Sequence, residues 1–224
     1  MKASRASSTC LAPCSLHNYF IYFVLMPFPV GLMTVLNVWV FIVIALNSWN
    51  CARACAWMKT QSKATLSNFQ VLSTNSIVHL QQACRDAGHD HGHLIMEFPN
   101  KQYDLITHLQ ANDHILFILR TLKGVMRIYR RKSKEMNCDQ HKLHIFLLEV
   151  DRQILELERC ARYIVTDEVH KRMLKEMEIH FRSLVSHLRN TEYNAKSWND
   201  VAGVILKHLQ RLDLLATTTK TILN

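Results

Sequence analysis

The chain has 224 residues, with 27 Lys plus Arg against 18 Asp plus Glu, 13 His, 7 Cys, 5 Gly and 4 Pro. Beyond residue 31 only Pro99 and four glycines remain. That is too few turn formers for a barrel or sandwich of short strands, or for the Gly-rich turns of a doubly wound α/β domain. The scarcity points to long helices in one domain, and no internal repeat or low-complexity tract interrupts it.

Residues 1–54 hold Lys2, Arg5 and Arg53, no acidic residue, and an apolar stretch from Tyr19 to Leu46 broken by Pro27, Pro29, Gly31 and Asn37. Its later part, Val35 to Leu46, has the length of a signal-peptide core and falls short of the about 20 residues of a spanning helix. Ala52-Arg53-Ala54 follows as a small-x-small triplet. Cleavage is therefore expected after Ala54, giving an N-terminal extension and signal peptide over 1–54 and a helical domain over 55–224. Met1, Met26 and Met33 all remain open as starts. The opposing reading is an uncleaved anchor over residues 19–46.

Residues 55–224 number 170, with 24 basic and 18 acidic groups. The secretory route permits disulfides, and Cys55, Cys84, Cys138 and Cys160 allow three complete pairings that spacing alone does not choose among. No N-x-Ser/Thr acceptor occurs, so N-glycosylation is not expected.

In chain order, Leu66, Phe69, Leu72, Ser76 and Leu80 mark a first helix over 60–84, the weakest of the set. A long connection follows, from Arg85 to about His108, carrying Gly88, Gly92 and Pro99. Its length suits an overhand crossover between parallel helices, and hence an up-up-down-down bundle. Ile115, Leu119, Leu122, Met126 and Tyr129 mark a helix over 109–132 that ends in Arg130-Arg131-Lys132, a basic end that suits the macrodipole. Leu143, Leu147, Val150, Ile154 and Leu157 form the clearest stripe, capped by Asp139, with Cys160 on its next step. Val169, Met173, Met177, Phe181, Leu184 and Leu188 predict a helix over 167–189. Trp198, Val201, Ala202, Ile205, Leu209 and Leu212 predict a last one over 194–217, capped by Asn194. The expectation is an all-α bundle of about five helices with one core, in which Trp198, Leu147 and Phe181 are structural.

The chain carries no Gly-rich phosphate loop, no G-x-S-x-G elbow and no H-E-x-x-H, so an enzyme is not expected, nor is a cofactor. His89, His91 and His93 alternate in the long connection. Without fixed helical spacing or supporting groups they read as a polar loop, and no metal site is assigned. Lys123, Arg127, Arg130, Arg131, Lys132 and Lys134 read as a solvated helix face and loop, with no nucleic-acid partner. On the last helix, a wheel at 100° per residue with Trp198 at zero places Gly203, Lys207, Gln210 and Leu214 outside and Leu206 at the edge. That outward surface is mixed and partly apolar, compatible with a partner face.

Three segments carry a family resemblance. Cys55-Ala56-Trp57 directly after the signal, HKLHIFLLEVDRQILELERC at 141–160 and YNAKSWNDVAGVILKHLQRLDLLA at 193–216 closely resemble fish type I interferons. LIMEFP at 94–99 is similar to an element of that family's first long loop. The resemblance implies a secreted, monomeric cytokine that binds two class II cytokine receptor chains and induces antiviral genes through JAK-STAT signalling, touching the membrane only through its receptor. It implies receptor contacts at Phe98 in the first long loop and at Gly203, Leu206, Lys207 and Gln210 on the last helix. It also implies a Cys55–Cys160 disulfide. Lys196 stands where four-cysteine members carry the partner of a first-loop cysteine. The resemblance is thus to the two-cysteine group, and Cys84 and Cys138 are left either as free thiols or as an atypical pair. Two other readings stay open: a membrane-anchored or retained basic helical protein, and another helical cytokine family.

Overall fold

A computed structural model describes residues 56–59, 66–84, 97–132, 136, 138–162, 164 and 167–223, with Arg131 and Lys132 as backbone only. The chain divides into two units, Met1–Ala52 and Arg53–Asn224, and the described residues belong to the second. The leader, its cleavage site and the histidines at 89, 91 and 93 lie outside the described residues. Among the described residues no helix is long and apolar enough to cross a membrane.

Six helices make up the described regular structure: α1 Asn68–Ala83, α2 Asn100–Ile106, α3 Ala111–Lys132, α4 Gln140–Ala161, α5 Glu168–Asn190 and α6 Ala195–Leu223. The first starts later than the expected 60. Ser67 Oγ accepts from Gln70 N at 3.3 Å while Gln70 Oε1 accepts from Ser67 N at 3.1 Å. This reciprocal capping box fixes the first turn at Asn68. Asp139 caps α4, accepting from the backbone N–H groups of His141 and Lys142 at 3.0 and 3.2 Å. Those hydrogen bonds hold its carboxyl below the ordinary range. Asp167 caps α5 through His170 N at 2.7 Å, and Asn194 Oδ1 caps α6 through Ser197 N at 2.9 Å. α2 sits within the expected long connection, its first turn closed on the Pro99 carbonyl by Gln102 N and Tyr103 N.

Cross-helix pairs fix the directions. Ser76 bonds Gln153 and His79 bonds Glu149, so α1 and α4 are antiparallel. Lys123 pairs with Glu158 and Arg130 with Asp151, so α3 and α4 are antiparallel too. Gln70 bonds Thr217 near the start of α1 and the end of α6. At the two ends of α3, His114 bonds Thr219 and Tyr129 stacks on Trp198. α1, α3, α4 and α6 therefore run up, up, down, down. α5 lies parallel to α3, since Asp113 meets His170 and Gly124 meets Phe181. Because α5 reverses direction after α4, the connection between them needs no crossover, and the first turn after Asp167 is intact.

α3 is the central element, packed against α4, α5 and α6. Its approach to α5 depends on Gly124, where a Cβ would lie 2.6 Å from the Phe181 ring. Trp198, Phe146, Phe181 and Tyr129 are buried together with most of the expected stripe residues, but Leu66 and Val169 are exposed and Leu72 is half-buried, because they fall at or beyond the edge of the inward face near the starts of their helices. Tyr129 joins two of them, edge-on to Phe146 at 5.5 Å and stacked on Trp198 at 6.2 Å. Leu147 is half-buried at the margin of this core, because Phe146 takes the inward position on that turn of α4.

Cys84 and Cys138, 54 positions apart in the sequence, form a disulfide, so they are neither free thiols nor spectators. It joins the end of α1 to the start of α4, beside a backbone bond from Asp139 N to Ala83 O of 2.9 Å. Cys160 is buried and disulfide-bonded; its expected partner, Cys55, lies outside the described residues.

Candidate functional site

The wheel face of α6 and the segment before α2 meet in one surface. Gly203 and Lys207 are half-exposed and Gln210 is exposed, whereas Leu206 is buried. Lys207 does not extend freely into solvent: its Nζ lies 4.3 Å from the centre of the Phe98 ring, a cation–π contact. Phe98 is only 4% exposed. Of the five residues expected to touch a receptor, Phe98 and Leu206 are thus buried beneath the surface, and Gly203, Lys207 and Gln210 reach it. Phe98 is buried because Pro99 opens a helix that folds back over α5 and α6.

Beneath Lys207 lies an aromatic and imidazole cluster. Phe98 stacks on Tyr103 at 5.4 Å and tilts against His208 at 4.7 Å. Tyr103 Oη and His208 Nδ1 are 2.8 Å apart, and His208 Nε2 and His180 Nε2 are 3.0 Å apart. Tyr103 also packs edge-on to Phe117 of α3 at 5.1 Å. Burial pushes the Tyr103 hydroxyl above its ordinary pKa, against the opposing effects of Arg211 and Thr121. Burial lowers His180 to about 4. It lowers His208 well below the ordinary imidazole value, helped by His180 and Lys207. Both rings are neutral at physiological pH.

The rim is polar. Arg211 lies 5.6 Å from the Tyr103 ring centre and 3.5 Å from the Asp104 carboxylate, and Gln102 donates to Glu176 of α5 at 2.5 Å. Leu105 and Leu214 add exposed apolar area at 47% and 62%. The arrangement keeps its one hydroxyl–imidazole pair, Tyr103 with His208, buried beneath the surface. It presents a fixed cation, amides and apolar groups on rigid helices, the chemistry of a protein-binding surface.

Elsewhere, the basic row on α3 is met by acids from both sides: Lys123 with Glu158 at 2.6 Å, Arg130 with Asp151 at 2.9 Å and Arg127 with Glu178 at 3.9 Å. Among the described residues no group of three or more His, Cys, Asp or Glu could hold a metal ion. Tyr103, His180, His208 and Arg211 were not among the expected site residues. The available sequence cue was His208 itself, which the wheel puts at about 80° from Trp198, a polar ring on the core side of the helix.

Comparison with known proteins agrees with this architecture. Interferon 1 of zebrafish superposes with a TM-score of 0.58 at 24% identity, over 67% of this chain and 96% of that one. Interferon a3 of Oncorhynchus mykiss is 26% identical over 183 residues, covering 76% of this chain and 96% of the relative. The interferon alpha/beta domain model matches residues 55–219, and the chain therefore belongs to the type I interferon family, whose members are non-enzymatic signalling cytokines.

Proposed function

We propose that the chain is a secreted interferon, released after Ala54, that binds a two-chain class II cytokine receptor as a monomer and induces antiviral genes through JAK-STAT signalling. The observation that carries the reading is the meeting of two segments at one surface: Gly203, Lys207 and Gln210 share a face of α6, and Phe98 of the first loop packs under Lys207. Phe98 and Leu206 act from below, holding that surface in shape. Cys160 pairs with Cys55, tying the mature N-terminus to the end of α4. For a bond closing about 105 residues, the chain-entropy model gives roughly 4–5 kcal/mol.

Two measurements test this. Protein recovered from culture medium is expected to begin at Cys55 on N-terminal sequencing; its absence from the medium would favour an anchored or retained protein. Purified protein is expected to induce an interferon-responsive reporter in fish cells, and a Janus-kinase inhibitor should abolish the response. No induction over the full concentration range would sink the reading.

A further inference from the structure

We propose that the Tyr103–His208–His180 chain is an acid-sensitive clamp that holds the first long loop on α6, so that the bound receptor is released on acidification. The proposal rests on the receptor reading of this face. Its basis is geometric. Three elements converge on one imidazole: Phe98 and Tyr103 from the loop and α2, His180 and Phe181 from α5, and His208 itself from α6, fully buried.

A hydrogen bond between two ring nitrogens needs an N–H on one and a lone pair on the other. With both rings neutral the chain is satisfied in either direction: Tyr103 donates to His208, which donates to His180, or the order reverses. A first added proton puts a charge in a dry site beside cations. A second leaves two N–H groups facing each other. The groups around the pair offer little relief. Lys207 and Arg211 of α6 are cationic, Thr121 of α3 and Tyr103 are neutral, and the nearby carboxylates are engaged at the surface, Asp104 by Arg211 and Glu176 by Gln102. Among the described residues no carboxylate hydrogen-bonds either ring.

Lifting residues 97–106 off α5 and α6 removes Phe98 and Tyr103 and gives both imidazoles back to water, where they take up protons near pH 6.5. The clamped state binds protons far less readily. Linkage then favours the lifted state as pH falls. One pH unit below the ordinary imidazole value, each histidine contributes about tenfold to the opening equilibrium, or up to about a hundredfold together. Because Lys207 rests on Phe98, opening also frees the cation that the face presents.

Amide hydrogen exchange of residues 97–106, corrected for intrinsic chemical rates, is measured at pH 7.4 and 5.5 and compared with α4. Dissociation of labelled protein from responsive cells is followed at both pH values. The expected result is exchange at 97–106 accelerated tens of fold at pH 5.5 relative to α4, with faster dissociation. His180→Gln, at the half-exposed member, should cut the acid acceleration by about tenfold, and His208→Phe should cut it further if it folds. Unchanged exchange at 97–106, or an acid response that His180→Gln leaves intact, overturns the clamp. Acid opening with unaltered dissociation overturns its link to release. Failure of the underlying reading looks different: no binding at pH 7.4, or binding that ignores Lys207→Ala and Gln210→Ala.

Discussion

Two antiparallel helix pairs flank the central helix and are held by different forces. In the α1–α4 pair, the inward face of α1 is unusually polar. Gln70, Ser73 and Ser76 are buried; Ser76 bonds Gln153 of α4, Gln70 bonds Thr217 of α6, and the Cys84–Cys138 bridge locks the far end. In the α5–α6 pair, α5 buries Met173, Met177, Phe181, Leu184 and Leu188, with neutral histidines at 170 and 180 and no cysteine in either helix. A helix that buries little apolar area is held by covalent and hydrogen bonds. One that buries much rests mainly on that burial, and its buried imidazoles, which also bond α5 to α6, make it answer to pH.

The largest break in that contrast is expected at the apolar side. Trp198→Ala removes the ring stacked on Tyr129 and should cost about 3–5 kcal/mol, read as a large fall in melting temperature. Next comes the bridge. In the chain-entropy model, replacing Cys84 and Cys138 together by Ser should cost at most about 4 kcal/mol. Hydrogen exchange should then rise first in α1; a uniform rise across α1, α5 and α6 would erase the distinction between the pairs.

Gly124→Ala probes the α3–α5 approach. The added methyl meets Phe181 ring atoms at 2.6 Å, and overpacking of about 1–3 kcal/mol outweighs the up to about 1 kcal/mol that alanine gains over glycine in a helix. A stabilised variant would show that α5 can slide on α3.

Acid should act on the opposite pair from the bridge. The folded-state pKa of His180 is lowered from 6.5 to about 4, so the unfolded chain binds the proton more readily. Its contribution is complete above pH 6.5 and is lost as pH falls toward 4. Discounted for its partial exposure, this is about 1 kcal/mol at pH 5.5. His208, His114 and His170 are shifted in the same direction. Urea melts between pH 7.4 and 5 should show α5 and α6 losing protection before α1. The smallest effect on stability belongs to Lys207→Ala, within about 1 kcal/mol given its contact with Phe98. If it anchors the receptor contact, affinity should nonetheless fall about thirtyfold. Unchanged affinity would remove it from the contact.

What the sequence disclosed follows the range of the forces. α4 was legible almost to the residue because its cap at Asp139 and its stripe are local. α1 was placed too early because its apolar pattern is diluted by Ser73 and Ser76. The sharper marker was the Ser67-Asn68-Phe69-Gln70 capping box. α2 was not legible: seven residues carry no stripe, and their order comes from Phe98 and Tyr103 packing on Phe117 of α3 and, from much farther along the chain, on His180 and His208. The burial of Phe98 is a property of that packing and has no local signature. The Gly203, Lys207 and Gln210 face was legible from the wheel, while the His208 cluster beneath it required knowing which ring of α5 would sit opposite.

The bridge between Cys84 and Cys138 also closes a ring in the polypeptide. Its circumference takes in the whole of α2 and α3, with the chain leaving the ring into α1 on one side and α4 on the other. A protease that cuts once anywhere inside that circumference leaves a single covalent molecule, and the two pieces separate only when a reductant is added. Nicked protein of this kind would run as one species without reductant and as two with it. It could retain the packing of the central helix after its backbone has been severed.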